Sequence, residues 1–219
     1  MKYKAVIFDL DGTLVNTLDD LTDSANRALA AHGFPVYTVE EYKYFIGSGA
    51  ETLAQRILPE GHRDDATVAR ILDAFKEDYS QNWKVKSRVY EGIPQLLEAV
   101  DSMGLKRAVL SNKLHEYTLL CVEEFFAPQT FEMVLGMRPE VPHKPDPAGA
   151  FEIADFLSLN PEECVFLGDS ATDIHTALAA NMLPVGALWG FRTEDELTRA
   201  GAQVEISHPM ELMDYLAKI

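Results

Sequence analysis

Ala5-Val6-Ile7-Phe8-Asp9-Leu10-Asp11-Gly12-Thr13-Leu14 decides the fold: an unbroken apolar run ends in two carboxylates two residues apart, followed by a glycine. A run without polar alternation is the pattern of a strand covered on both faces, as parallel strands of α/β sheets are. Carboxylates at the end of such a strand are costly to bury unless a cation or a reaction needs them. Ligands of open α/β sheets bind beyond the carboxyl ends of the strands, so the position of the pair is as informative as its chemistry.

Working outward from residues 3–8, similar buried-strand signatures recur at 107–110, 131–135, 164–167 and 183–188, separated by segments of helical length. That alternation predicts an α/β protein with a doubly wound parallel sheet. The first two strands are far apart, and residues 17–82 between them read as wholly helical. Leu18, Leu21, Ala25, Ala28 and Leu29 recur at helical spacing, with Gly33 as a stop. Thr38-Val39-Glu40-Glu41 has the form of a capping box, and 64–79 carries Val68, Ile71, Leu72 and Phe75 on one face. The expected division is a core of residues 1–15 and 83–219 with a small inserted α-helical cap of residues 16–82. Within the cap, Ile46-Gly47-Ser48-Gly49 precedes a helix, where free backbone amides can meet an anion.

With 219 residues, 47% of them hydrophobic, the chain can bury a substantial core. Its formal net charge of −16 opposes binding to nucleic acid or to an anionic membrane, and no stretch is long and apolar enough to span a bilayer. The charged amino terminus does not read as a signal peptide, so a soluble, cytoplasmic monomer or homodimer is expected. Cys121 and Cys164 lie in apolar surroundings without metal-ligand spacing and are expected as buried thiols. The same negative charge means that an anionic ligand needs local cations, oriented amides or a metal.

The other strand ends supply such groups. Ser111-Asn112-Lys113 offers a hydroxyl and amides, and His143-Lys144-Pro145-Asp146-Pro147 sets one ammonium among prolines. Gly168-Asp169-Ser170-Ala171-Thr172-Asp173 brings two more carboxylates where a helix begins. Each motif alone has an ordinary structural reading as a turn, a cap or a solvated charge. Four strand ends of one sheet carrying complementary groups point to a site for a hard cation and an anion.

As a set, Asp9-Leu10-Asp11-Gly12-Thr13, Ser111-Asn112-Lys113, Lys144-Pro145-Asp146-Pro147 and Gly168-Asp169-Ser170-Ala171-Thr172-Asp173 resemble the four motifs of the haloacid dehalogenase superfamily. The helical insertion, Val89-Tyr90-Glu91-Gly92 and Trp189-Gly190-Phe191 are similar to its phosphoglycolate phosphatase-like members. The resemblance implies a phosphatase acting on a small-molecule phosphate ester, with Asp9 as nucleophile and Asp11 as general acid and then base. It further implies Mg2+ held by Asp9, Asp11 through its main-chain carbonyl, Asp169 and Asp173, the last directly or through a neighbour. Ser111, Asn112 and Lys144 are expected to bind phosphate. For 2-phosphoglycolate, the leading substrate, the second anionic group would fall to Gly47, Ser48 and Gly49 with Lys43 or Arg56. The alternatives are a sugar-phosphate mutase or pyrophosphatase of the same superfamily, and outside enzymes a phosphoaccepting module. Asp11 argues against a dehalogenase, because a departing halide needs no proton.

Overall fold

The computed structural model describes residues 2–128 and 130–217. Six strands, β1 (Ala5–Phe8), β4 (Lys106–Leu114), β5 (Met133–Met137), β6 (Cys164–Gly168), β7 (Leu183–Ala187) and β8 (Val204–Ile206), form one sheet in the order β5-β4-β1-β6-β7-β8. Every neighbouring pair is parallel. Two further strands, β2 (Val15–Asn16) and β3 (Arg88–Val89), pair with each other. Helices α5 (Ile93–Ser102), α6 (His115–Phe125), α7 (Ala148–Leu157), α8 (Ala171–Ala179), α9 (Glu194–Ala200) and α10 (Glu211–Leu216) complete this unit. The five strands expected from apolar runs are present; β8 is an addition, an edge strand of three residues interrupted by Glu205 and too short to show a periodicity.

The core follows from the pattern that identified the strands. Ala5, Ile7, Ala108, Leu110, Leu135, Cys164 and Phe166 pack in one cluster with Ala150, Ile153, Ala154 and Leu157, the apolar face of α7. Burial of each large side chain contributes roughly 1.5–3 kcal/mol. Both cysteines are buried and free, as expected.

The first sheet strand sits at the centre, and its register positions the site. Phe8 is level with Val109 on one side and Leu167 on the other. Asp9 N donates to Leu167 O at 2.9 Å, which continues the ladder one residue past the strand. Ser111 and Asp169 therefore lie two residues beyond the positions level with Phe8. On the β5 side the pairing slips between Leu110 and Leu114, so Ser111-Asn112-Lys113 occupies an irregularity that frees the strand end from the ladder.

The second unit, Asn16–Arg88, contains α1 (Leu18–Ala31), α2 (Val39–Phe45), α3 (Ala50–Ile57) and α4 (Asp65–Asn82). The capping box at Thr38 is present with both reciprocal hydrogen bonds, Gly33 takes a positive φ after α1, and Asp64 caps α4 by accepting from Thr67 N. The return to the core falls between Arg88 and Val89, not between residues 82 and 83 as expected. The buried Asp20 carboxylate explains the shift: it accepts from Lys86 N at 2.9 and 3.0 Å, from Ser87 N at 2.8 Å and from Ser87 Oγ at 2.7 Å. These bonds hold the segment after α4 in the helical unit. No helix among the described residues is long and apolar enough to cross a membrane.

Candidate active site

The chain leaves β1 into a tight turn in which Leu14 N and Val15 N both donate to Leu10 O at 3.0 Å and Gly12 N donates to Val15 O at 2.9 Å. Gly12 sits at φ +88°, and a side chain there would collide with the Asp169 carboxylate. Gly190 meets the same carboxylate from the loop after β7, again with no room for a Cβ. Asp169 is fixed by Phe191 N, which donates to Oδ2 at 2.7 Å, and by Thr13 Oγ1 at 3.3 Å from Oδ1. Trp189 Nε1 donates to Thr13 O at 2.9 Å. The Trp189-Gly190-Phe191 triplet thus pins the turn after β1, makes space for Asp169 and supplies it with an amide.

Lys144 is buried, 4% exposed, with its ammonium 2.9 Å from Asp9 Oδ1 and 2.6 Å from Asp173 Oδ1. The Asp9 contact is an ion pair without hydrogen-bond geometry. Asn112 clamps the lysine main chain: its Nδ2 donates to Lys144 O and its Oδ1 accepts from Lys144 N, both at 2.9 Å. The other oxygen of Asp173 accepts from Ser170 N at 3.0 Å and Ser170 Oγ at 2.6 Å within the capping box of α8. Asp173 therefore both starts a helix and orients Lys144.

Asp9, Asp169 and Asp173 are all buried, and each offers an oxygen within 4.8 Å of the others. With these three and Lys144 ionised, the group carries a net charge of −2. Burial, then the Asp173 charge and more weakly Asp169, push the Asp9 carboxyl well above the ordinary carboxylate range, with Lys144 pulling the other way. Burial and Asp173 push Asp169 up to about 7. For Lys144, burial opposes the charge, but Asp173 and Asp9 outweigh it and the ammonium is stabilised. Crowded all-oxygen donors, with Asp9 and Asp169 raised by burial and by their acidic neighbours, fit a hard divalent cation, whose charge would remove the mutual repulsion.

Asp11 stands apart from this group. Its oxygens lie 3.1 and 3.3 Å from Lys113 Nζ, an ion pair little exposed on either side. Ser111 is buried and its Oγ accepts from Lys113 N at 3.2 Å, which leaves the hydroxyl proton for another acceptor.

In the helical unit, Arg56 donates to Tyr44 O at 3.3 Å, Phe45 O at 3.1 Å and Ser48 Oγ at 3.2 Å. Gly47 and Gly49 flank Ser48 with positive φ, and Gly49 opens α3. Lys43 instead pairs with Glu40 at 2.9 Å. The structure brings Arg56 to Ser48 and gives Lys43 a different partner.

Thr13, Phe191 N and Lys113 are the members of the core site to which the sequence assigned no role. Thr13 and Phe191 act through partners 156 and 22 residues away, and an amide donor has no residue signature at all. Lys113 had a faint one: it lies two residues from Ser111, on the same side of an extended chain.

Residues 6–187 match the model of the haloacid dehalogenase-like hydrolase family. The phosphoglycolate phosphatase of Psychrobacter arcticus is 28% identical over 224 residues, covering all of this chain and 97% of that protein. The N-acetylmuramic acid 6-phosphate phosphatase of Pseudomonas aeruginosa is 29% identical over 217 residues, covering 99% and 96%. A solved structure from Lactobacillus delbrueckii subsp. bulgaricus is 33% identical and superposes with a TM-score of 0.93 over 99% of each chain. The chain belongs to the haloacid dehalogenase-like hydrolase family, in its phosphoglycolate phosphatase-like branch.

Proposed function

We propose that the protein hydrolyses a small phosphate monoester through an aspartyl-phosphate formed on Asp9. The observation that carries this reading is the Lys144 bridge: one buried ammonium lies 2.9 Å from the proposed nucleophile and 2.6 Å from a second acid of a buried carboxylate cluster. A carboxylate so placed can attack phosphorus while the ammonium beside it receives a phosphate oxygen and offsets developing charge. Ser111 would donate its hydroxyl proton to another phosphate oxygen, and Asn112, through its clamp on Lys144, would set where the ammonium stands. Asp11 would protonate the leaving oxygen and then deprotonate the water that opens the acyl phosphate.

Asp9, Asp169 and Asp173, with the Asp11 main-chain carbonyl, would hold Mg2+. When bound, that ion supplies charge neutralisation for a dianionic substrate in a pocket that is otherwise negative. The fixed Asp169, held by Phe191 N and Thr13, is the acid best prepared for it.

The leading substrate is 2-phosphoglycolate, supported by the names of relatives spanning the whole chain, and the helical unit's Ser48 and Arg56 are assigned to its carboxylate. Phosphate release measured over 2-phosphoglycolate, sugar 6-phosphates including N-acetylmuramic acid 6-phosphate, nucleotides and pyrophosphate, with and without Mg2+, tests the reading. Multiple turnovers on one small ester, abolished by chelation, are expected. A single stoichiometric burst would replace it with a phosphoaccepting module, and isomerisation of a hexose phosphate without phosphate release with a mutase.

A further inference from the structure

Two acids two residues apart face opposite problems. Asp9 must join the cation-binding group, whereas Asp11, close to it in sequence, must stay out if it is to exchange protons with a substrate. A flexible carboxylate near a divalent cation is drawn onto it, because hard cations accept six or more oxygens. Something has to hold Asp11 back, and the structure provides it.

Lys113 is anchored along its main chain. Its N–H donates to Ser111 Oγ at 3.2 Å, and its carbonyl accepts from Thr118 Oγ1 at 3.2 Å. The same carbonyl lies where a side chain at Gly136 would meet it at 2.7 Å, so only glycine lets β5 approach this closely. From that fixed base the side chain, 6% exposed, reaches across 102 residues of sequence to both oxygens of Asp11. The Asp11 carboxylate is accordingly absent from the buried acid group that contains Asp9, Asp169 and Asp173.

We propose that Lys113 is the positioning residue of Asp11, holding this second carboxylate off the cation-binding acids so that it remains available to the leaving oxygen and to water. The inference rests on the phosphatase reading for its catalytic consequence, but its structural half concerns only where Asp11 goes when Lys113 is removed. A lysine held by its main chain is suited to this, since its ammonium is a compact positive charge that attracts a carboxylate.

The experiment uses the full-length protein with Lys113→Met, Lys113→Gln and Lys113→Arg, each alone and with Asp11→Asn, after thermal melts select the variants that fold. Calorimetric titration with Mg2+ or Mn2+, without substrate, reads the first consequence. Lys113→Met or Lys113→Gln is expected to bind the cation ~3–10-fold more tightly, because Asp11 joins the donor set, and Asp11→Asn is expected to cancel that gain. Kinetics read the second. Lys113→Met is expected to lower kcat by about 10–100-fold with substrate KM nearly unchanged, and Lys113→Arg to recover most of it. In the Asp11→Asn background the same substitution is expected to cost less than about twofold more, because both act through one group.

Unchanged cation affinity in both neutral variants would overturn the proposal. So would fully multiplicative losses in the double variant, or a KM rise at constant kcat, which would mean that Lys113 grips substrate directly. Should the unaltered protein release phosphate from no ester, the phosphatase reading fails on its own, and the calorimetric arm still decides where Lys113 keeps Asp11.

Discussion

The two lysine–aspartate contacts of the core site differ in ratio more than in distance. At the end of β1 and β6, one ammonium serves Asp9 and Asp173 at 2.9 and 2.6 Å and is outnumbered by buried acids. At the end of β4, Lys113 Nζ lies 3.1 Å from Asp11 Oδ1. The first region is short of positive charge, which suits the proposed uptake of a cation and then an anion. The second sets one ammonium against one carboxylate, a smaller shortfall of positive charge. The strand ends thereby give different surroundings to Asp9 and to Asp11 two residues later, as the proposed roles of nucleophile and acid–base group require.

The most direct way to break the comparison is to neutralise the crowded side. Asp9→Asn keeps shape but removes the nucleophilic charge, and phosphate release is expected to fall by at least about 10⁴-fold. The melting temperature should hold or rise, because a buried acid among like charges is lost. Retained turnover in a sequence-verified variant would remove Asp9 from its role.

Next in size is the clamp that fixes the outnumbered ammonium. Asn112→Ala leaves the Lys144 N–H and carbonyl without their 2.9 Å partners in a buried setting, at a cost of about 1–3 kcal/mol per group. A kcat loss of about 10–100-fold is expected as Lys144 loosens. Equal kcat with lowered stability would confine Asn112 to folding.

A smaller effect should appear in pH dependence. Asp169 has its carboxyl raised from 3.8 to about 7, by burial and Asp173, so the folded protein holds a proton that the unfolded chain has released. The Asp169 contribution to stability without metal then declines as pH rises from about 4 to about 7 and levels off above, by an amount on the order of 4 kcal/mol at most. Subtracting the melting curve of Asp169→Asn in chelator cancels the other groups. The wild-type minus variant difference should become more negative by up to roughly 10 °C across that window, and Mg2+ should restore it. A flat difference would mean that Asp169 is not crowded.

Much of the core side of this comparison was legible in the chain itself. Residues 5–8 and 164–167 are apolar without alternation, so the sheet could be read, and once parallel strands are aligned their ends must converge. Lys144, Asp169 and Asp173 were found for that reason. Lys113 carries no such signal, because a lysine at a strand end reads as solvated until a partner 102 residues away is in view. The boundary at Arg88 was invisible for a related cause: exposed Val85 says nothing, and the bonds that decide it come from Asp20 on a different helix.

The helical unit gives the mildest test and sharpens the contrast with the core. Its cationic candidates were two, and the structure separates them: Arg56 is tied to two α2 carbonyls and Ser48, whereas Lys43 is paired with Glu40, which is 77% exposed. A surface pair of that kind contributes between zero and about 1 kcal/mol, so Lys43→Ala should alter neither stability nor substrate choice measurably. Ser48→Ala removes one acceptor of Arg56 and is expected to shift kcat/KM for 2-phosphoglycolate against a neutral-tailed ester by about 3–10-fold, with kcat nearly constant. If instead Lys43→Ala moves that ratio and Ser48→Ala does not, the anion-recognising group lies on α2, and the Gly47-Ser48-Gly49 turn serves only to start α3.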